Sequence, residues 1–211
     1  MTETNQHKDV KDAVHAVVKS GDDVHQQVKD ITLKALTKGR LDVDNIQNVT
    51  EAVTKGINEG MTSHGEHGKD VFIHAVTALD DALAIAVEAS ALAIEEAASK
   101  VTEYSEHDLN DAIKDLQDRE SLFLDTLEKV AKDSNQVVVD IVSDFIAHSR
   151  QSGTAVGEQA LIALDALKDL PKISKDIILS STAATTSTLA QIASGILQGI
   201  AESLQPSHSK K

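Results

Sequence analysis

Only two prolines occur in the 211 residues, Pro171 and Pro206. Proline removes a backbone N–H and clashes with the preceding helical turn, so a chain that nearly omits it leaves most of its length open to helix. Apolar and small residues recur along that length at helical spacing. In the first segment they fall at Val10, Val14, Val17, Gly21, Val24, Val28, Ile31 and Ala35, a heptad-like seam. The alternative to a single helix here is a break near Gly21, where Ser20 and Asp23 have the spacing of a capping box. Gly39 and Arg40 close the segment, and Asp42 or Asp44 caps the next one, which carries Ile46, Val49, Val53, Ile57 and Met61. Thr62 to Gly68 reads as a loop.

The longest stripe runs from about Asp70 to Tyr104 through Phe72, Val76, Leu79, Leu83, Ala86, Ser90, Ile94, Ala97 and Val101. A second row, from Ala75 through Ala78, Ala82, Ile85 and Ala89 to Leu92, widens it and predicts a helix at the centre of a bundle. Ser105 and Asp108 are spaced to open another helix, and from Leu109 to Phe145 the periodicity continues without a strong breaker. Gly153 ends that helix or sits within it, and Leu161, Leu164 and Leu167 carry helix to about Asp169. Pro171 suits the first position of a last helix that reaches Leu204. The expected fold is all-α, an elongated bundle of about five to seven long amphipathic helices without β-sheet. Residues 1–65 would form an N-terminal helical part ending in a Gly/His loop, 66–205 the main bundle and 206–211 a disordered tail, all in one continuous domain.

Composition narrows the function classes. Only four residues are aromatic, Phe72, Tyr104, Phe123 and Phe145, so Ala, Val, Ile and Leu must fill the core. Such side chains suit close helix packing better than the walls of a substrate pocket. The absence of Cys excludes disulfides and thiolate chemistry. No phosphate loop, nucleophile elbow or zinc-protease motif occurs, and the carboxylates fall on polar helix faces. The chain is therefore expected to be no enzyme, with no cofactor and no small-molecule substrate. Its start has neither a basic region nor an apolar run of signal-peptide type, and a cytoplasmic place is expected. A net charge of −14 argues against nucleic acid as a partner. Residues 66–128 alone carry 16 acids and 4 bases, a face that either keeps the protein soluble or docks a basic partner.

Three further features could carry function. Gly56/Gly60, Gly153/Gly157 and Gly195/Gly199 are pairs at i,i+4, a spacing that lets helix backbones approach closely. The first and last pairs sit in similar octapeptides, Val53 to Gly60 and Ile192 to Gly199, which hints at a decayed repeat. Residues 177–201 contain no charge, yet ten of those 25 are Ser, Thr or Gln, too polar for a membrane-spanning helix. Such a helix must be covered by its own bundle, another subunit or an external apolar surface. Finally, His64, His67, Asp70 and His74 cluster in sequence with metal-ligand chemistry, though in no established metal-site spacing.

Low aromatic content, Ala/Val/Ser/Thr-rich helices, absent cysteines and an acidic face over residues 70–204 resemble the phasins, bacterial granule-associated proteins, and more loosely the exchangeable apolipoproteins. The resemblance is one of composition and helix length, and no motif carries a residue across. It implies a coat protein that lays amphipathic helices on a lipid or polyester inclusion or on a membrane surface. The alternatives are an oligomeric helical scaffold built by self-association through its seams, or a partner-helix binder, and a metal-binding bundle using the histidine cluster.

Overall fold

A computed structural model describes residues 3–62, 64, 68–99, 106–167 and 186–204, and those residues form helices and short turns with no strand. Nine helices are described: α1 (Glu3–Ser20), α2 (Val24–Thr37), α3 (Val43–Met61), α4 (Gly68–Ser99), α5 (Glu106–Gln117), α6 (Arg119–Ala131), α7 (Gln136–Ser152), α8 (Ala155–Leu167) and α9 (Thr186–Leu204). The fold is all-α, with more and shorter helices than the five to seven expected.

Each extra boundary has a local cause. The seam from Val10 to Ala35 is broken at Gly21 (φ 75°) and Asp23 (φ 46°), both left-handed, so the chain turns there. The alternative reading, a break near Gly21, holds, but without the Ser20/Asp23 capping box. Ser20 Oγ instead donates to the Val17 carbonyl, and the Asp23 side chain makes no capping bond. Asp42 is the cap of α3, its carboxylate accepting the Asn45 N–H at 2.9 Å. Between Leu109 and Phe145 the chain breaks twice. Asp118 separates α5 from α6, and Asn135 opens α7 by accepting the Val138 N–H at 3.1 Å. Gly153 (φ 82°) ends α7 rather than sitting within it. The spacing of Ser105 with Asp108, the continuation past Leu167, Pro171 and the 206–211 tail lie outside the described residues.

α4 occupies the centre, packed mainly against α2, α8 and α9 and in contact with α3 and α5 as well. Its buried residues run from Phe72 through Ala75, Ala78, Ala82, Ala86, Ala89 and Ala93 to Ala97. Alanine on so many inward positions lets several neighbours approach at once, because short side chains shorten interaxial distances. α1 lies mainly on α3, and α5, α6 and α8 contact one another as well as α4 or α3. One buried apolar cluster extends from Val10 in α1 to Leu197 in α9. The only aromatic pair among the described residues, Phe72 of α4 with Phe145 of α7, meets edge to face at 6.2 Å near the start of α4.

Candidate functional site

The three glycine pairs go to three different environments. On α3, a Cβ at Gly56 would lie 2.5 Å from the Lys11 carbonyl oxygen and 2.8 Å from Val14 Cβ. At Gly60 it would lie 2.7 Å from Val18 Cβ and 3.0 Å from the His15 carbonyl. α1 therefore rests directly on the backbone of α3, a contact that any larger residue would force apart. Close helix contact is corrected for the other two pairs. Gly153 is a turn with nothing near it, and Gly157 makes room for the Glu120 carboxylate rather than for a helix backbone. Gly195 and Gly199 face open space on the outer side of α9, so the octapeptides that resemble each other meet opposite surroundings.

The Gly157 surroundings hold a polar cluster that sequence reasoning missed. Asp80, from the middle of α4, accepts the N–H groups of Ala155 (2.7 Å) and Val156 (2.9 Å) at the start of α8. Thr154 Oγ1 accepts the Gly157 N–H at 3.0 Å and donates to Glu120 of α6 at 2.8 Å. Three otherwise orphaned N–H groups of α8 are thus satisfied, two of them by a carboxylate from another helix. Burial nonetheless pushes the Asp80 carboxyl above the ordinary carboxylate range, against the pull of those two bonds. The one signal was the pair of acids Asp80 and Asp81 inside the apolar row between Leu79 and Ala82.

The expected histidine cluster does not assemble among the described residues. His64 Nε2 donates to the Val18 carbonyl near the end of α1, while Asp70 and His74 are exposed on α4. His67 lies outside the described residues, and no three His, Asp or Glu side chains among those described converge as metal ligands. No described helix is long and apolar enough to cross a membrane.

The uncharged last helix has its apolar side covered from within. Over the described residues, Leu189, Ala190, Ala193 and Leu197 are buried, and α9 lies on α4 with further contacts to α2 and α5. Thr188, Gln191, Gly195, Gln198 and Gly199 face outward, so water meets hydroxyls, amides and backbone instead of charge. Ser194 provides the polar tie. Its Oγ accepts the Leu41 N–H at 2.8 Å and lies 3.0 Å from the Gly39 carbonyl and 2.8 Å from the Ala190 carbonyl, which compete for its single proton.

Beneath this helix is a cavity of about 40 Å³ lined by Asp42, Ser90, Ile94, Asp115, Arg119 and Leu189, among others. Arg119 is only 7% exposed, and its Nε and Nη1 have no hydrogen-bond partner among the described residues. Its charge is balanced at longer range, by Asp115 first and then Asp42 and Asp118, while desolvation lowers its pKa. Burial raises the Asp115 pKa in turn. Two further exposed apolar side chains, Leu161 (71% exposed) and Ile162 (55%), sit side by side on the outside of α8.

No curated protein and no solved structure matches the chain. A family model described as a family of unknown function, DUF6781, matches residues 1–206, and the chain belongs to that family.

Proposed function

We propose that this is a non-enzymatic helical binding protein whose last helix leaves the bundle to lie on an apolar surface, such as a lipid or polyester inclusion. The observation that carries the proposal is the way α9 is attached. Its stripe of Leu189, Ala193 and Leu197 is buried, with Leu189 and Ala193 sharing a small cavity with Ser90, Ala93 and Ile94 of α4, and Ser194 is its polar anchor to the α2–α3 turn. The helix carries one charged residue, Glu202, over its described length. Exchanging contacts with α4 for contacts with an external apolar phase therefore costs little desolvation, and opening hydrates the guanidinium of Arg119. The long alanine rows, the low aromatic content and the acidic helices α4 to α6 fit the same reading.

Flotation with triglyceride emulsion droplets tests it. The protein is expected to float with the droplets, retain its helical circular dichroism, and show faster amide exchange in α4 where α9 had covered it. Absence from droplets and from phospholipid vesicles of any charge would overturn the proposal. A second reading, a scaffold that joins chains through helix faces, is favoured by the adjacent Leu161 and Ile162 on α8. Light scattering separates the two, because a monomeric mass removes self-association.

A further inference from the structure

We propose that the edge formed by α2 and the C-terminal half of α9 is the part of the molecule that docks, and that its partner is an anionic lipid surface. The inference rests on the surface-binding reading above and adds the face and the headgroup chemistry. The charged side chains that line this edge are Lys29, Lys34 and Lys38 with Asp30 and Glu202, a net of +1 in a chain whose total is −14. α2 and α9 contact each other, and between them runs a cleft of about 620 Å³ whose lining includes Lys29, Lys34, Lys38, Leu33, Ala201 and Leu204.

The chemistry of this cleft is that of an anionic amphiphile in complement. Lys34 of α2 and Lys38 at its C-cap are exposed, one turn apart, and neither is paired with a carboxylate among the described residues. Lys29 is held loosely, 3.8 Å from Asp81. The two acids of the cleft are each occupied by a glutamine, Asp30 by Gln26 at 2.9 Å and Glu202 by Gln198 at 2.9 Å. Leu204, 54% exposed, stands at the end of the charge-free stripe of α9 and supplies an apolar side chain at headgroup depth. Lysine stems can lie along such a surface while their ammonium groups meet phosphates.

The acidic helices do not defeat this arrangement. α5 and α6 pack with α8 rather than with α2. α4, which is acidic and does pack on α2, turns Asp81 to His25 (3.0 Å) and Lys29 (3.8 Å). Repulsion from charges more than about 8 Å away is screened at physiological salt. The lysine side of α2 is thereby the basic edge turned to the lipid, and the acidic helices α5 and α6 pack elsewhere. The same edge is where α9 would begin to lift, since the cleft already separates its C-terminal half from α2.

Co-sedimentation with vesicles of phosphatidylcholine alone and of equimolar phosphatidylcholine and phosphatidylglycerol tests the assignment. Binding is expected to be tighter on the mixed vesicles and to weaken as salt rises. Each lysine near an anionic surface contributes about fivefold, so Lys34→Gln/Lys38→Gln should lose about 25-fold on mixed vesicles and nothing on neutral ones. Leu204→Ser should weaken binding to both. Both lysines are exposed, so circular dichroism of the double variant should match the parent. Equal binding of parent and double variant to mixed vesicles, or equal binding of the parent to the two vesicle types, would overturn the docking edge and leave surface binding standing. Binding to neither vesicles nor emulsion droplets overturns both.

Discussion

At Gly56 an added methyl group would meet the backbone of α1, and at Gly195 it would meet nothing. The two positions lie in matching octapeptides, so one substitution tests both environments. Gly56→Ala should destabilise the fold by about 1–3 kcal/mol, the usual cost of overpacking, because a backbone carbonyl cannot give way. Gly195→Ala should stabilise it by about 0.5–1 kcal/mol, since an exposed helical glycine loses more chain entropy on folding than alanine does. Urea unfolding measures both, and a neutral or stabilising Gly56→Ala would show that α1 can give way over α3. Glycine spacing was legible in the sequence, but its meaning was not. The i,i+4 pattern says that helices can approach closely, and only the placement of α1 over α3 decides that one pair does so. The Arg119 cavity left no sequence signal, because an arginine among four nearby acids reads as a solvated surface residue.

Among the elements, α9 is tied to the α2–α3 turn by a side-chain hydrogen bond that one substitution removes. Ser194→Ala removes the acceptor for the Leu41 N–H, which keeps a longer bond of 3.2 Å to the Ala190 carbonyl. The expected loss is about 1 kcal/mol, the ordinary net worth of one hydrogen bond. Hydrogen exchange should speed up across α9 and leave α1 and α3 unchanged; uniform acceleration would mean that α9 opens only when the whole bundle unfolds. Helical character, the central place of α4 and the starts of α3 and α4 could all be read from periodicity and caps. The breaks at Asp118 and Asn135 could not. Both sides of each break face the same core, so the apolar stripe runs on while the backbone turns. The same limit hid the partner of α9, since the stripe on a helix shows that it is covered and not by which neighbour.

Across the whole molecule, acidity should tighten the fold before it destroys it. Asp80 and Asp115 both hold their protons more firmly folded than unfolded, because burial penalises their charged forms. Their favourable contribution is fully present below the unfolded value of 3.8 and is lost as pH rises through the higher folded values. Glu51 acts in the opposite sense in a lower window. Its side-chain bond from Lys55 depresses its pKa, so its contribution is lost only as pH falls through that depressed value. The urea midpoint is therefore expected to rise from neutral to mildly acid pH, helped by relief of the net charge. Asp115→Asn should flatten that rise, and an unchanged profile in the variant would remove Asp115 as its source.

The aromatic pair has a mechanical consequence at this scale. Phe72 and Phe145 fasten one end of the central helix with interlocking rings, while from Ala86 to Ala98 its buried surface is made mostly of methyl groups. Rings resist lateral displacement, and a row of methyls presents shallow ridges over which a neighbour can slide. Pulled apart, the molecule should behave like a book, with its spine at the phenylalanines and its pages parting first where α9 lies.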